Sequence, residues 1–135
     1  MFHKILQATF AILCFSLGWS AQAAQDLMII NSSDQIAEAR VFNYDCLDTD
    51  SCSIAPGTSI SISQATMNSL CIESPEKCEI KLGVAPIIAA IGVGVYHTEQ
   101  GLLYVAGSRW TGYSARQLAS NVIEIYKTNK IDEVH

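Results

Sequence analysis

Basic residues, histidines and long apolar runs are all scarce in this chain, and each scarcity removes a class of function. Eight Lys and Arg stand against thirteen Asp and Glu, for a formal net charge of −5. The basic residues are scattered rather than gathered into a stripe, so neither nucleic acid nor an anionic membrane surface has an electrostatic footprint here. Three histidines give little material for general acid–base chemistry. No Gly-x-Ser-x-Gly nucleophile elbow is present. No apolar run reaches the ~20 residues that cross a membrane as a helix. Internal repeats, low-complexity tracts and domain linkers are also missing.

What is present begins with a leader. His3 and Lys4 open it, Ile5 to Leu17 is mostly apolar, and Ala21-Gln22-Ala23 forms a small-x-small cleavage site. Residues 1–23 therefore read as a signal peptide and 24–135 as a single exported domain, periplasmic or secreted. Cleavage removes Lys4, the leader's one formal charge, and takes the net charge from −5 to −6. No stable membrane span is expected afterwards.

Export decides how the cysteines are read. Cys46, Cys52, Cys71 and Cys78 follow the cleavage site. An even count in a small exported domain predicts two disulfides. The favoured pairing is Cys46 with Cys52 and Cys71 with Cys78, because each pair flanks a short polar loop. Neither spacing fits a common zinc knuckle, and no histidine is near. No metal and no cofactor is expected.

The rest predicts a mainly β domain, a small antiparallel β-sandwich or curved sheet of about six or seven strands. Leu27 to Ile30 is a short apolar run ending in the turn-forming Asn31-Ser32-Ser33-Asp34. Ile36 to Tyr44 is read as a strand, although Ser32-x-x-Gln35 resembles a helix capping box. Ser59 to Ser63 alternates strictly. Gln64 to Leu70 has room for a helical turn. Cys78 to Leu82 alternates again, and Gly83 to Tyr96 reads as a central buried strand, or two strand pieces around Pro86, filling the core. His97 to Gly101 then forms a hairpin loop returning through Leu102 to Ala106. A second capping box, Ser114-x-x-Gln117, precedes Leu118, Val122, Ile125 and Tyr126 at helical spacing, so a short C-terminal helix is expected from Ser114. A closing strand over Val122 to Tyr126 is the rival. With helices at both 36–44 and 114–127 the class would become α+β.

Candidate sites follow from composition. Arg109, Trp110, Tyr113 and Arg116 crowd one Gly- and Ser-rich segment, and Trp110 is the single tryptophan beyond the leader. Trp, Tyr and Arg dominate binding hot spots, while Gly and Ser let a loop adapt. These four are the predicted partner-binding residues; the competing reading buries Trp110 in the core. Asp45, Asp48 and Asp50 share a loop that lacks the glycine of a calcium-binding loop. His97 beside Glu99 is the one pair that suggests hydrolysis, and no catalytic residue is assigned. Asn31-Ser32-Ser33 is a glycosylation sequon. The sequence thus points to a non-enzymatic binding module for a protein or glycan, such as an inhibitor of another exported enzyme. The alternative is an envelope-assembly protein that oligomerises through a sheet edge or its apolar 84–95 segment.

Overall fold

The computed structural model describes residues 25–42, 45–47, 52–85, 90–108 and 111–128. The expected signal peptide, with Arg109, Trp110, Asp48 and Asp50, lies outside them.

Two sheets and one short helix make up the described chain. The first sheet contains β1 (Leu27–Asn31), β5 (Ser59–Ile62), β9 (Tyr113–Ala119) and β10 (Val122–Lys127), in the order β5-β1-β10-β9. The second contains β2 (Ala37–Val41), β3 (Asp45–Cys46), β4 (Ser53–Ile54), β6 (Cys78–Val84), β7 (Gly92–His97) and β8 (Gly101–Gly107). Its order is β3-β2-β6-β7-β8, with β4 also on β2. The mainly β class is therefore as expected, built from more and shorter strands than the sequence suggested. Most pairings are antiparallel, but β1 and β10 run parallel, Met28 opposite Val122 and Ile30 opposite Glu124.

Alternation explains most of these elements. In β6 every second residue is buried: Cys78, Ile80, Leu82 and Val84. In β1 Leu27, Ile29 and Asn31 face inward. Opposed to them stand Ile123 and Ile125 of β10, and together these four apolar residues are wholly buried. Ala37 and Ala39 of β2 keep the layers close. Gly94 does so more sharply, since a Cβ there would lie 3.2 Å from the Ile123 side chain and 3.5 Å from Leu102. Of the apolar 84–95 segment, Val84, Ile91 and Val95 are buried. These residues are core, so the segment's described part offers little as an assembly face.

The disulfides follow the adjacent pattern, Cys46 with Cys52 and Cys71 with Cys78. The first ties β3 to β4, two-residue strands that share one edge of β2. A covalent link lets two fragments do the work of one strand. The second closes the loop between helix and β6. That helix, α1 (Gln64–Leu70), starts at Ser63, whose hydroxyl accepts the N–H of Thr66 at 3.2 Å. Met67 anchors it in the core.

The expected C-terminal helix is overturned. Residues 113–127 form a β-hairpin instead, and the one helix among the described residues lies at 64–70. Residues two apart on a helix sit about 200° apart, so a helix would bury Ile123 or Ile125 but not both. Burying one more isoleucine is worth about 1.5–3 kcal/mol, against roughly 1 kcal/mol for a cap. Asn121 completes the turn with φ at 56°, a conformation asparagine tolerates better than most residues.

Candidate functional site

The segment singled out by composition connects β8 to β9, so its ends sit on edge strands of different sheets. Thr111 shapes the entry to β9: its hydroxyl donates to the Tyr113 carbonyl at 2.9 Å. Thr128 N–H closes the same end by donating to the Gly112 carbonyl at 2.9 Å.

Tyr113 and Arg116 are three residues apart on β9, so they face opposite sides of the sheet. Tyr113 packs partly against the core, and its hydroxyl donates to Asp34 Oδ1 at 2.8 Å. Lys127 Nζ donates to the other oxygen of Asp34 at 3.1 Å. Arg116 reaches Glu124 Oε1 through Nε at 2.8 Å and Nη2 at 2.7 Å. Its guanidinium lies 4.4 Å from the centroid of Tyr126, a cation–π distance. Ser32 donates to Glu124 Oε2 at 2.8 Å. The two residues are not brought together directly. Each is steadied by the turn between β1 and β2, through Asp34 in one case and Ser32 with Glu124 in the other.

The Asp34 clamp fixes its own pH window. Hydrogen bonds from Tyr113 and Lys127 lower the Asp34 carboxyl from its ordinary 3.8. The Asp34 hydrogen bond raises Lys127 above 10.5 and Tyr113 above 10.0. A depressed carboxyl contributes stability above its unfolded value, lost as pH falls through the folded one. The raised lysine and tyrosine contribute below their unfolded values and lose that contribution as pH rises. Asp34→Asn is therefore expected to lower the melting temperature slightly and evenly between about pH 5 and 9. The difference from wild type should shrink as pH falls through the lowered Asp34 value and as it rises through the raised Lys127 and Tyr113 values; a difference unchanged along the acid limb would show that the carboxylate is not its source.

Sequence reasoning missed a second feature. Leu103 and Tyr104 of β8 and Leu118 of β9 are 40%, 50% and 51% exposed. Both leucines are the extra residues of β-bulges: Val95 and Tyr96 pair with Tyr104 and Leu102, and Val122 and Ile123 pair with Ala119 and Gln117. The two strands run side by side. Gly107 abuts Ser114 and Ala115 at one end, and Leu102 N–H donates to Asn121 Oδ1 at 2.8 Å at the other. Leu103, Tyr104 and Leu118 therefore lie between those two ends, on adjoining strands. A signal existed: three consecutive large apolar residues, Leu102-Leu103-Tyr104, cannot all face inward from one strand.

His97 holds the β7–β8 turn. Its Nδ1 accepts N–H bonds from Glu99 at 3.1 Å and Gln100 at 3.2 Å. Among the described residues no three His, Cys, Asp or Glu side chains could jointly hold a metal ion. The sequon asparagine is closed to modification in the folded protein, since Asn31 is fully buried with its amide nitrogen committed to the Gln35 and Ile54 carbonyls.

The chain matches no protein-family model and no curated protein. Among solved structures it is similar to the crystal structure of the Legionella pneumophila type II secretion system substrate NttC. Identity is 15% and the TM-score 0.58, over 78% of this chain and 100% of that one. The likeness is one of fold. Two disulfides fit an exported protein, and among the described residues no helix is long and apolar enough to cross a membrane.

Proposed function

We propose that this protein is an exported, non-enzymatic binding module whose partner, a protein or a glycan, docks where β8 and β9 lie together. The observation that carries this reading is the exposure of Leu103, Tyr104 and Leu118 on adjoining strands. A fold that fully buries most of its other strand isoleucines and leucines gains nothing by wetting these three. Exposed apolar clusters of this kind mark interaction surfaces. The sequence running out of β8 adds Arg109, Trp110 and Tyr113, the residue types that supply anchors. Resemblance in fold to a secreted substrate, together with two disulfides, supports a role outside the cytoplasm.

Two variants test the site, Trp110→Ala and the double change Tyr104→Ala with Leu118→Ala. Both are expected to keep the wild-type circular dichroism spectrum. Each should weaken binding to the ligand selected by wild type on a glycan array or from purified exported proteins by tenfold or more. Binding undiminished in both variants would refute the assignment. Self-association through the same edge is the second reading, favoured by the lack of any charged residue in Gly101–Gly107. Sedimentation would then show dimers that the double variant loses.

A further inference from the structure

The loop between α1 and β6 has no part in that reading, yet it carries the most exposed large apolar side chain among the described residues. Ile72 is 75% exposed. It directly follows Cys71, and the disulfide to Cys78 closes the loop with both cysteines fully buried. The loop is braced from inside and outside. Ser74 N–H donates to the Cys71 carbonyl at 3.0 Å, and its hydroxyl donates to the Lys77 carbonyl at 2.9 Å. Thr98, at the tip of the β7–β8 hairpin, donates its N–H to the Pro75 carbonyl at 2.9 Å. Gln64 Nε2 donates to the Thr98 carbonyl at 3.4 Å, so helix, loop and hairpin tip form one braced corner.

We infer that this corner is a second recognition element, a pre-formed knob that seats Ile72 in a shallow apolar pocket of a partner protein. Rigidity makes the inference more than one exposed isoleucine. A loop already held in shape gives up little entropy on binding, so a single buried aliphatic side chain can yield net affinity. The charges around it define the partner. Glu73 and Glu76 in the loop and Glu99 on the braced hairpin tip are all exposed, against Lys77 alone of opposite sign. The complementary surface is an apolar pocket rimmed by Lys or Arg. An anionic membrane surface would be repelled by the same carboxylates.

The test places a photo-crosslinking amino acid at position 72 of the full-length protein, with the same substitution at exposed Thr58 as control. Irradiation in an extract of the producing cells should give one protein adduct at position 72 that is absent at position 58. The cross-linked peptide of the partner should lie beside Lys or Arg. Unlabelled wild-type protein should suppress the adduct at least tenfold more effectively than Ile72→Asp, and so should it relative to the double variant Glu73→Lys with Glu76→Lys. Equal yields at positions 72 and 58, an adduct to lipid, or competition by Ile72→Asp as strong as by wild type would each overturn the inference. The double charge variant keeps Ile72 in place, so it separates recognition from any folding defect of Ile72→Asp. None of these outcomes depends on the β8–β9 surface.

Discussion

Replacing Asn31 with alanine is expected to destabilise the fold by about 3–5 kcal/mol, among the largest effects a single change can have here. Asn31 ends β1 facing inward and has no exposure. Its amide nitrogen donates to the Gln35 and Ile54 carbonyls, each at 2.8 Å. Its amide oxygen accepts from Ser33 N–H at 3.0 Å and from the Ser33 hydroxyl at 2.6 Å. One side chain thus joins the end of β1, the turn into β2 and strand β4. Alanine removes all four bonds, leaves the buried Ser33 N–H without its acceptor and takes a donor from the Ile54 carbonyl, at about 1–3 kcal/mol for each unsatisfied group, while the Gln35 carbonyl keeps the Ser33 hydroxyl at 3.0 Å. Asn31→Asp is nearly isosteric but turns the donating end into an acceptor facing two carbonyls. Burial raises that carboxyl above its ordinary range, so the variant's deficit should be smaller in acid, where a protonated carboxyl can donate, and grow as pH rises. Urea unfolding of the oxidised protein at pH 4 and pH 7 measures both effects. A loss below about 1 kcal/mol for Asn31→Ala would mean that the network is not what holds this corner.

Gly107→Ala should cost about 2–4 kcal/mol, although the residue is exposed and sits in an edge strand. A Cβ at this position would collide with Ser114 Oγ and the Ala115 carbonyl, and would lie 3.1 Å from the Ala115 nitrogen. The serine can rotate, but the backbone of β9 cannot. Relief therefore requires β8 and β9 to part. Ala115 is meanwhile pinned on the inner side, where a Cβ at Gly92 would stand 2.9 Å from it. Gly83→Ala is the matched control. It is also a strand glycine, but nothing lies within 4 Å of its Cβ position, so its change should stay within about 0.5 kcal/mol. Thermal unfolding of the pair decides the matter: similar melting temperatures would show that the strands yield freely. Separation of β8 from β9 would also disturb the proposed docking surface, so Gly107→Ala should lose binding together with stability.

The strands that were legible from sequence are those whose alternation had no competitor. The alternating runs read at Ser59–Ser63 and Cys78–Leu82 appear as β5 (Ser59–Ile62) and β6 (Cys78–Val84), but the strand read over Gly83 to Tyr96 does not: Gly83 and Val84 finish β6, and β7 begins only at Gly92. The hairpin at 113–127 reads as a helix from sequence because two local signals, a capping box and helical spacing, outweigh the alternating Ile123 and Ile125. What decided it was the dry face of β1, which no local window contains. The same limit applied at Ser32-x-x-Gln35. There the polar residues serve the buried Asn31 rather than a helix: Ser33 and Gln35 supply the hydroxyl, N–H and carbonyl that its side chain engages.

The candidate site was legible in part. Composition drew attention to the β8–β9 connection, and of its four residues Tyr113 is held by Asp34 of the β1–β2 turn and Arg116 by β10. Composition could not show that Arg116 is already committed to Glu124 and Tyr126. Nor could it reveal Leu103 and Leu118, whose exposure depends on bulges set by pairing across the sheet. Ile72 was hidden for a simpler reason: it sits in a short loop that reads as polar, and its prominence comes from the buried cysteines on either side.

The parallel contact of β1 with β10 has a consequence in time. β1, the first of the described strands, waits with one edge open until β10, the last of them, has been delivered. Contacts between such distant segments form late and slowly. The second sheet can close from neighbouring hairpins while the chain is still emerging, but the first cannot. A polypeptide threaded N-terminus first through a narrow channel is thereby kept from closing this sheet until β10 has followed β1 through.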